Sequence, residues 1–340
     1  MQTFRIAHEE LLGSPAPVTE NPQLEKYWDK KVSELCQLEE PPVLKPEQKE
    51  RHRIYSYLLM AIIHHYWNGF KRGRHGEYPW NETPKPTDPT WMHGDYRGHN
   101  IAALAVDADG HILDFDFNHN ELFNSSAEHA EARLVRRLYS LAQISDSWTA
   151  VPPSTAAVGN PAATGGYTSL SHVTVYTSLE SCSQCSGVMA LAQVKQVVYL
   201  QTDTMMYFIG RILRNLTTES LRAPLPISGG EIDFHYFEVL NGAYSDFARE
   251  VGEKPFWRGP DGKIDNKKSV TSFLCTGIAR TVYAAGGDLL RRLVDGTDEL
   301  TAPDNRPRDG ALTNREALTE ADHFLDYARR IGRRATPHNL

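Results

Sequence analysis

The stretch HVTVYTSLESCSQCSGVMALAQVKQVVYLQ (residues 172–201) sets the reading of the fold. Its opening, HVTVYTSLE, is rich in β-branched and aromatic residues and reads as a strand. CSQCSGVMALAQV (182–194) reads as a helix, and KQVVYLQ (195–201) as a second strand. Strand, helix and strand in this order imply a sheet with parallel members covered by helices. At the junction, Ser181-Cys182-Ser183-Gln184 fits a capping box and puts Cys182 at the first helical position. Cys185 follows one turn later on the same face. A helix N-terminus favours thiolate over thiol, so two reactive sulfurs are expected together here.

Upstream, NIAALAVDADGHILDFDFNHN (100–120) contains two strand-like runs flanking DADG, whose Asp-Gly suits a hairpin turn. NSSAEHAEARLVRR (124–137) then opens a helix expected over about 126–145, with Ser125 as N-cap and Glu128 reaching back. His129 and Glu131 lie two apart, and in mid-helix they would point to different sides. They converge on one centre only at the helix start, where the expected cap places them.

Further out, PEQKERHRIYSYLLMAIIHHYWNGFKRG (46–73) has apolar residues at helical spacing and reads as one long helix ending at Gly73. Residues 1–45 look peripheral, with one helix in NPQLEKYWDKKVSELCQLEE. The region 74–100 and the Pro/Ala/Thr/Gly-rich 149–169 read as loops, the latter an insertion. TMMYFIGRILRNLT (204–217) is another helix, and EIDFHYFEVL (231–240) alternates enough for a strand or extended segment. Residues 269–295 read as a helix broken at Gly286-Gly287, and 313–334 as an amphipathic helix. The domain expectation is an N-terminal extension (1–45), a core domain (46–240) and a mainly helical C-terminal extension (241–340).

Composition bounds the function. With 40% hydrophobic and 23% charged residues the chain reads as an ordinary soluble protein. No run reaches the length of a membrane span, and the first residues lack a signal-peptide pattern, so a cytoplasmic protein is expected. A net charge of −7 disfavours tight non-specific polyanion binding, and the basic runs 70–75 and 329–334 read as solvated helix ends. The four cysteines, two of them in one C-x-x-C, fit metal or redox chemistry better than a disulfide scaffold.

His129, Cys182 and Cys185, each at a helix start, form a tripod for zinc and leave the fourth tetrahedral position for water, as in catalytic sites. Glu131 is then not needed as a ligand and is placed for proton transfer. The pair H-A-E (129–131) and S-C-S-Q-C (181–185) resembles the zinc-dependent cytidine deaminase superfamily, whose signature is H-x-E followed by P-C-x-x-C. VTVYTSLESCSQCSGVMALAQVKQVVYL is similar to the branch holding tRNA adenosine, guanine and cytosine deaminases. The resemblance covers about 100–215 and at its widest reaches back to 47. It implies a three-layer α/β/α sandwich with a mixed central sheet and helical extensions at both ends. It also implies a zinc cofactor, Glu131 as catalytic acid/base, Asn118 and Ala130 as substrate contacts, and a homodimer.

Two departures stand out. Ser181 replaces the signature proline, and the gap between the two motifs is long, with the excess falling in 149–169. The substrate expected first is a small nucleobase, nucleoside or nucleotide. A base within RNA or DNA comes second, and a silent zinc scaffold or partner subunit third. Which base is attacked is not legible. Other residues take structural readings: Glu180 as a loop-orienting group, Phe123, Tyr207 and Phe208 as core aromatics, Cys36 and Cys275 as packing, and His75, His93 and His99 as loop residues.

Overall fold

The computed structural model describes residues 27, 29–67, 98–120, 122–141, 169–206, 208–217, 222–253, 257–258, 264–265 and 268–331. The expected loop histidines His75 and His93, Tyr207, the basic run 70–75 and nearly all of 149–169 lie outside these residues.

The centre is a five-stranded sheet. β1 (Ala102–Val106) and β2 (Ile112–Phe117) form the expected hairpin, and β3 (Thr174–Thr177), β4 (Gln196–Tyr199) and β5 (Leu225–Ser228) follow. The strand order is β2-β1-β3-β4-β5. β1 pairs antiparallel with β2 and β3, whereas β3–β4 and β4–β5 are parallel, so the sheet is mixed. The hairpin turn closes as the Asp-Gly suggested. Asp107 accepts the amides of Asp109 and His111 at 2.9 Å, and Gly110 adopts φ +100°. That backbone conformation favours glycine.

On one face lie α3 (Ala130–Leu141), α4 (Ser183–Leu191) and α5 (Ile209–Leu216). On the other lies α2 (Pro46–His65), which packs on β1 and β3; a short α1 (Val32–Leu35) precedes it and rests on α5. Helices thus cover both faces of a mixed sheet, giving the three-layer α/β/α arrangement. α2 is buried along almost its whole length from Glu50 to Ile63, because more helices cover its outer side. Those are α8 (Gly277–Val294) and α9 (Asn314–Ile331), with α6 (His235–Glu253) and a four-residue α7 (Val270–Phe273) beside them. A two-strand ribbon, β6 (Trp257–Arg258) and β7 (Ile264–Asp265), lies between α6 and α7 in sequence.

Three expectations are corrected. EIDFHYFEVL is not extended: it spans a 3-10 turn (Gly229–Ile232) and the start of α6. Phe237 packs so closely on Gly229 that a Cβ there would stand 2.7 Å away, and this contact folds the chain back. The break in 269–295 falls at Leu274–Thr276, not at the glycines. Gly286 and Gly287 lie inside α8, where they let its backbone approach Met60 and Ala61 of α2. The long N-terminal helix caps at Tyr66, before Gly73.

β2 and α3 are joined by buried charge. Arg133 is fully buried, with Asp116 Oδ1 at 3.2 Å and Glu128 Oε2 at 2.6 Å. Arg137, one turn on, meets Asp114 Oδ2 at 2.8 Å. These pairs fix the rotation of α3 on the sheet and therefore the direction in which its first turn points. Among the described residues no helix is long and apolar enough to cross a membrane.

Candidate metal centre and active site

β2, β3 and two helix starts converge on one point. β2 ends at Phe117, and Asn118 follows with its side-chain oxygen accepting the Ala130 amide at 2.7 Å. Asn118 thus caps α3. His129 stands just before Ala130, and its carbonyl accepts the Arg133 amide at 3.0 Å. The expected capping box from Ser125 to Glu128 does not form. Glu128 instead binds Arg133 and Arg136, whose charges outcompete an uncharged backbone amide. The helix begins four residues later than expected.

The second junction follows the same logic. Cys182 is itself the N-cap of α4, with the Ser186 amide on its carbonyl at 2.9 Å, and no side chain caps the turn. Gln184 does not reach back either. Its amide donates to Ala127 O at 2.8 Å and so ties α4 to the segment bearing His129.

His129, Cys182 and Cys185 meet, with their ligand atoms all within 4.8 Å of one another. Nδ1 of His129 lies 3.3 Å from Cys182 Sγ and 3.6 Å from Cys185 Sγ. Sulfur and nitrogen ligands on a tetrahedral zinc, with Zn–S about 2.3 Å and Zn–N about 2.0–2.1 Å, sit roughly 3.5 Å apart. The group therefore has both the donors and the spacing for zinc. His129 and Cys182 are half-buried and Cys185 is fully buried, so the group opens to one side only.

The protons of this group are strongly coupled. The Cys182 thiol is drawn down to about 4, first by the hydrogen bond from Cys185 and then, against burial, by His129. Cys185 is pushed well above the ordinary thiol range by that same bond, by burial and by Glu131. His129 is raised, chiefly by its bond to Cys182. A divalent cation would displace these protons, as metal binding to thiols does.

Glu131 is almost fully buried beside these three residues, and burial pushes its carboxyl above the usual range. Cys185 Sγ lies 3.3 Å from Oε2. Oε1 accepts two hydroxyls, Thr177 Oγ1 and Ser181 Oγ, each at 3.1 Å. The sequence reading missed both of these contacts. Two signals pointed to them: Ser181 occupies the signature proline position, and alternation along β3 turns Thr177 away from Tyr176, which packs against α2 at Tyr55 and His52.

Glu180 takes the loop role expected of it. Its Oε2 accepts the Asp203 amide at 3.1 Å, its own amide binds Gln201 O at 2.8 Å, and burial pushes its carboxyl up to about 7. Phe123 and Phe208 are not core residues, being 42% and 38% exposed. Each has an arginine over its ring, Arg133 at 5.4 Å and Arg211 at 5.5 Å respectively. Cys275 is buried with its thiol on Thr271 O, and Cys36 is half-buried. Neither joins the metal group.

Residues 89–201 match the family described as the cytidine and deoxycytidylate deaminase zinc-binding region. No curated protein matches the chain. Among solved structures, one comes from a study of A-to-I editing by tRNA:A34 deaminases at the wobble position of transfer RNA. It is 20% identical, with a TM-score of 0.26, over 38% of this chain and 82% of that one. Another is a guanine deaminase from Nitrosomonas europaea, 17% identical, with a TM-score of 0.27, over 40% of this chain and 68% of that one. His129, Cys182 and Cys185 all fall within the matched region, residues 89–201.

Proposed function

We propose that this protein is a zinc-dependent hydrolytic deaminase that exchanges an amino group on a nucleobase, nucleoside or nucleotide for a carbonyl and releases ammonia. The observation that carries this reading is the buried carboxylate of Glu131, held beside a His/Cys/Cys group by hydroxyls on its far oxygen. A purely structural metal site has no use for such a carboxylate. His129, Cys182 and Cys185 are the proposed ligands. Zinc in that position supplies Lewis-acid activation of water near neutral pH.

Glu131 does the proton work. With Oε1 occupied by Thr177 and Ser181, Oε2 is the atom that takes a proton from the attacking water. It delivers that proton to the ring nitrogen, then takes the second proton from the added hydroxyl and passes it to the amino group, which leaves as ammonia. Its raised pKa suits a group that must both accept and return a proton. Asn118 and Ala130, joined by their 2.7 Å bond at the start of α3, are the proposed substrate contacts. A homodimer is part of this reading through the resemblance, and light scattering of the purified protein tests it.

The deciding experiment incubates the zinc-loaded protein with free bases, nucleosides, nucleotides and short RNA and DNA oligonucleotides, and reads products by mass spectrometry. A gain of about one mass unit marks the exchange of an amino group for a carbonyl. It is expected on a small molecule with wild type and not with Glu131→Ala, which should keep its zinc. Reaction on oligonucleotides alone would move the substrate to a polymer. Turnover by Glu131→Ala would remove Glu131 from the chemistry.

A further inference from the structure

We propose that Ser181 and Thr177 are positioning residues for Glu131: together they clamp Oε1, so that Oε2 alone is presented to the metal group and the substrate. This deepens the deaminase reading and rests on it for its catalytic consequence. The geometric claim stands on the structure alone.

Both hydroxyls lie 3.1 Å from the same carboxylate oxygen, and both residues are buried, Thr177 fully and Ser181 at 4% exposure. Water does not compete at such a site, and an unmet buried hydroxyl or carboxylate would be costly. The two donors come from differently constrained backbone. Thr177 ends β3 in register with Ala103 on one side and Tyr199 on the other, so its hydroxyl is fixed by the sheet. Ser181 sits one residue before the metal-group cysteine Cys182, in the loop between β3 and α4. A glutamate has three side-chain torsions, and freezing them costs conformational entropy. Two donors on one oxygen select a single rotamer, and that rotamer brings Oε2 to 3.3 Å from Cys185 Sγ.

The departure from the family signature gains a meaning here. The signature has proline where this chain has Ser181. Proline carries no side-chain donor, so it cannot make the second bond to Oε1. This chain gives up the rigidity of proline before the first cysteine and gains a hydroxyl on the carboxylate. If the serine were only a tolerated replacement, restoring proline would be harmless or beneficial. If it is a clamp, restoring proline would cost turnover.

The test compares wild type with Ser181→Ala, Ser181→Pro, Ser181→Thr and Thr177→Val in the zinc-loaded full-length protein. Zinc content, thermal midpoint and crystal structures are measured on all of them. kcat and KM are measured on the compound the mass-spectrometric panel identifies. Zinc content is expected to hold in all variants, and KM to stay near wild type. kcat should fall about 10–100-fold in Ser181→Ala, Ser181→Pro and Thr177→Val, as for other supports of metal-site groups. Ser181→Thr keeps a hydroxyl and should recover most of that loss. Wild-type kcat in Ser181→Pro, or a loss confined to zinc content, overturns the proposal. If wild type deaminates nothing, the deaminase reading fails, and the crystal structures still decide the clamp. Oε1 away from both hydroxyls in the zinc-loaded wild type, or Glu131 unmoved in a Ser181→Ala/Thr177→Val double variant, overturns it.

Discussion

His52 shows how a single side chain on α2 carries a consequence far from the metal group. It is buried against the sheet, with Nδ1 2.8 Å from the Tyr176 hydroxyl. Burial, and then the charges of Lys195 and Arg51, pull its pKa from 6.5 down to about 4. Between those two values the unfolded chain binds a proton that the folded chain refuses. The stability that neutral His52 contributes is therefore present above pH 6.5 and is lost as pH falls through that window towards 4. Its ceiling is about 3 kcal/mol, from about 1.4 kcal/mol per pKa unit. Urea denaturation of wild type and His52→Gln at steps from pH 7.5 to 4 checks it. Glutamine can still accept the Tyr176 hydroxyl but does not titrate, so the variant should lose less stability across the window. Parallel curves would show that His52 is not the titrating group.

At the scale of elements, packing outvotes local signals wherever the two compete. The hairpin was legible because Asp-Gly chemistry is local and nothing overrides it, and the strand–helix–strand of 172–201 was legible because its apolar pattern is strong. The capping boxes were not real, since Glu128 and Gln184 found better partners in Arg133, Arg136 and Ala127 O. β5 went unread because it is four residues long and contains Pro226, which an edge strand tolerates. The clustering of His129, Cys182 and Cys185 needed no such subtlety, because the two motifs place all three at helix starts. The hydroxyls on Glu131 were not legible, because only the fold brings Thr177 and Ser181 to it. The glycine pair of α8 was misread as a break, and this gives a direct test. A Cβ on Gly286 would crowd fully buried Met60, standing 2.6 Å from its Cε and 3.0 Å from its Cβ, and one on Gly287 would lie 3.3 Å from Ala61 Cα. Gly286→Ala should destabilise by about 1–3 kcal/mol through overpacking. Gly242→Ala, in α6 with nothing within 4 Å of the added carbon, should instead stabilise by roughly 0.5–1 kcal/mol, the helix propensity difference. Urea midpoints of the two variants should move in opposite directions, and a gain in both would mean that α8 does not rest on α2 this closely.

At the scale of the molecule, α2 is the element on which the rest depends. It covers one face of the sheet and is in turn covered by α8 and α9, so it has no solvent side to offer. Its second half, Tyr57–Ile63, is apolar on every side, and such a stretch must be enclosed. The enclosure is polar as well as apolar. The Glu50 carboxylate is held by the Thr301 hydroxyl at 2.7 Å, the Ala302 amide at 3.0 Å and the Asn314 side chain at 3.0 Å. Arg51 donates to Asn314 at 2.9 Å. All of these partners lie beyond residue 268, as do α8 and α9. A chain cut after residue 268 would keep every residue of the metal group and of the Glu131 clamp. It would also uncover the outer side of α2 and strip Glu50 of its donors. Such a fragment is expected to be insoluble, or to bind a hydrophobic dye and unfold without a cooperative transition, while the full chain does neither. Were the fragment to fold cooperatively and take up zinc, the C-terminal helices would be an accessory to a self-sufficient deaminase-like core. The expected result makes them part of that core, so that the metal group, β3 and α2 are supported by one continuous packing reaching to α9.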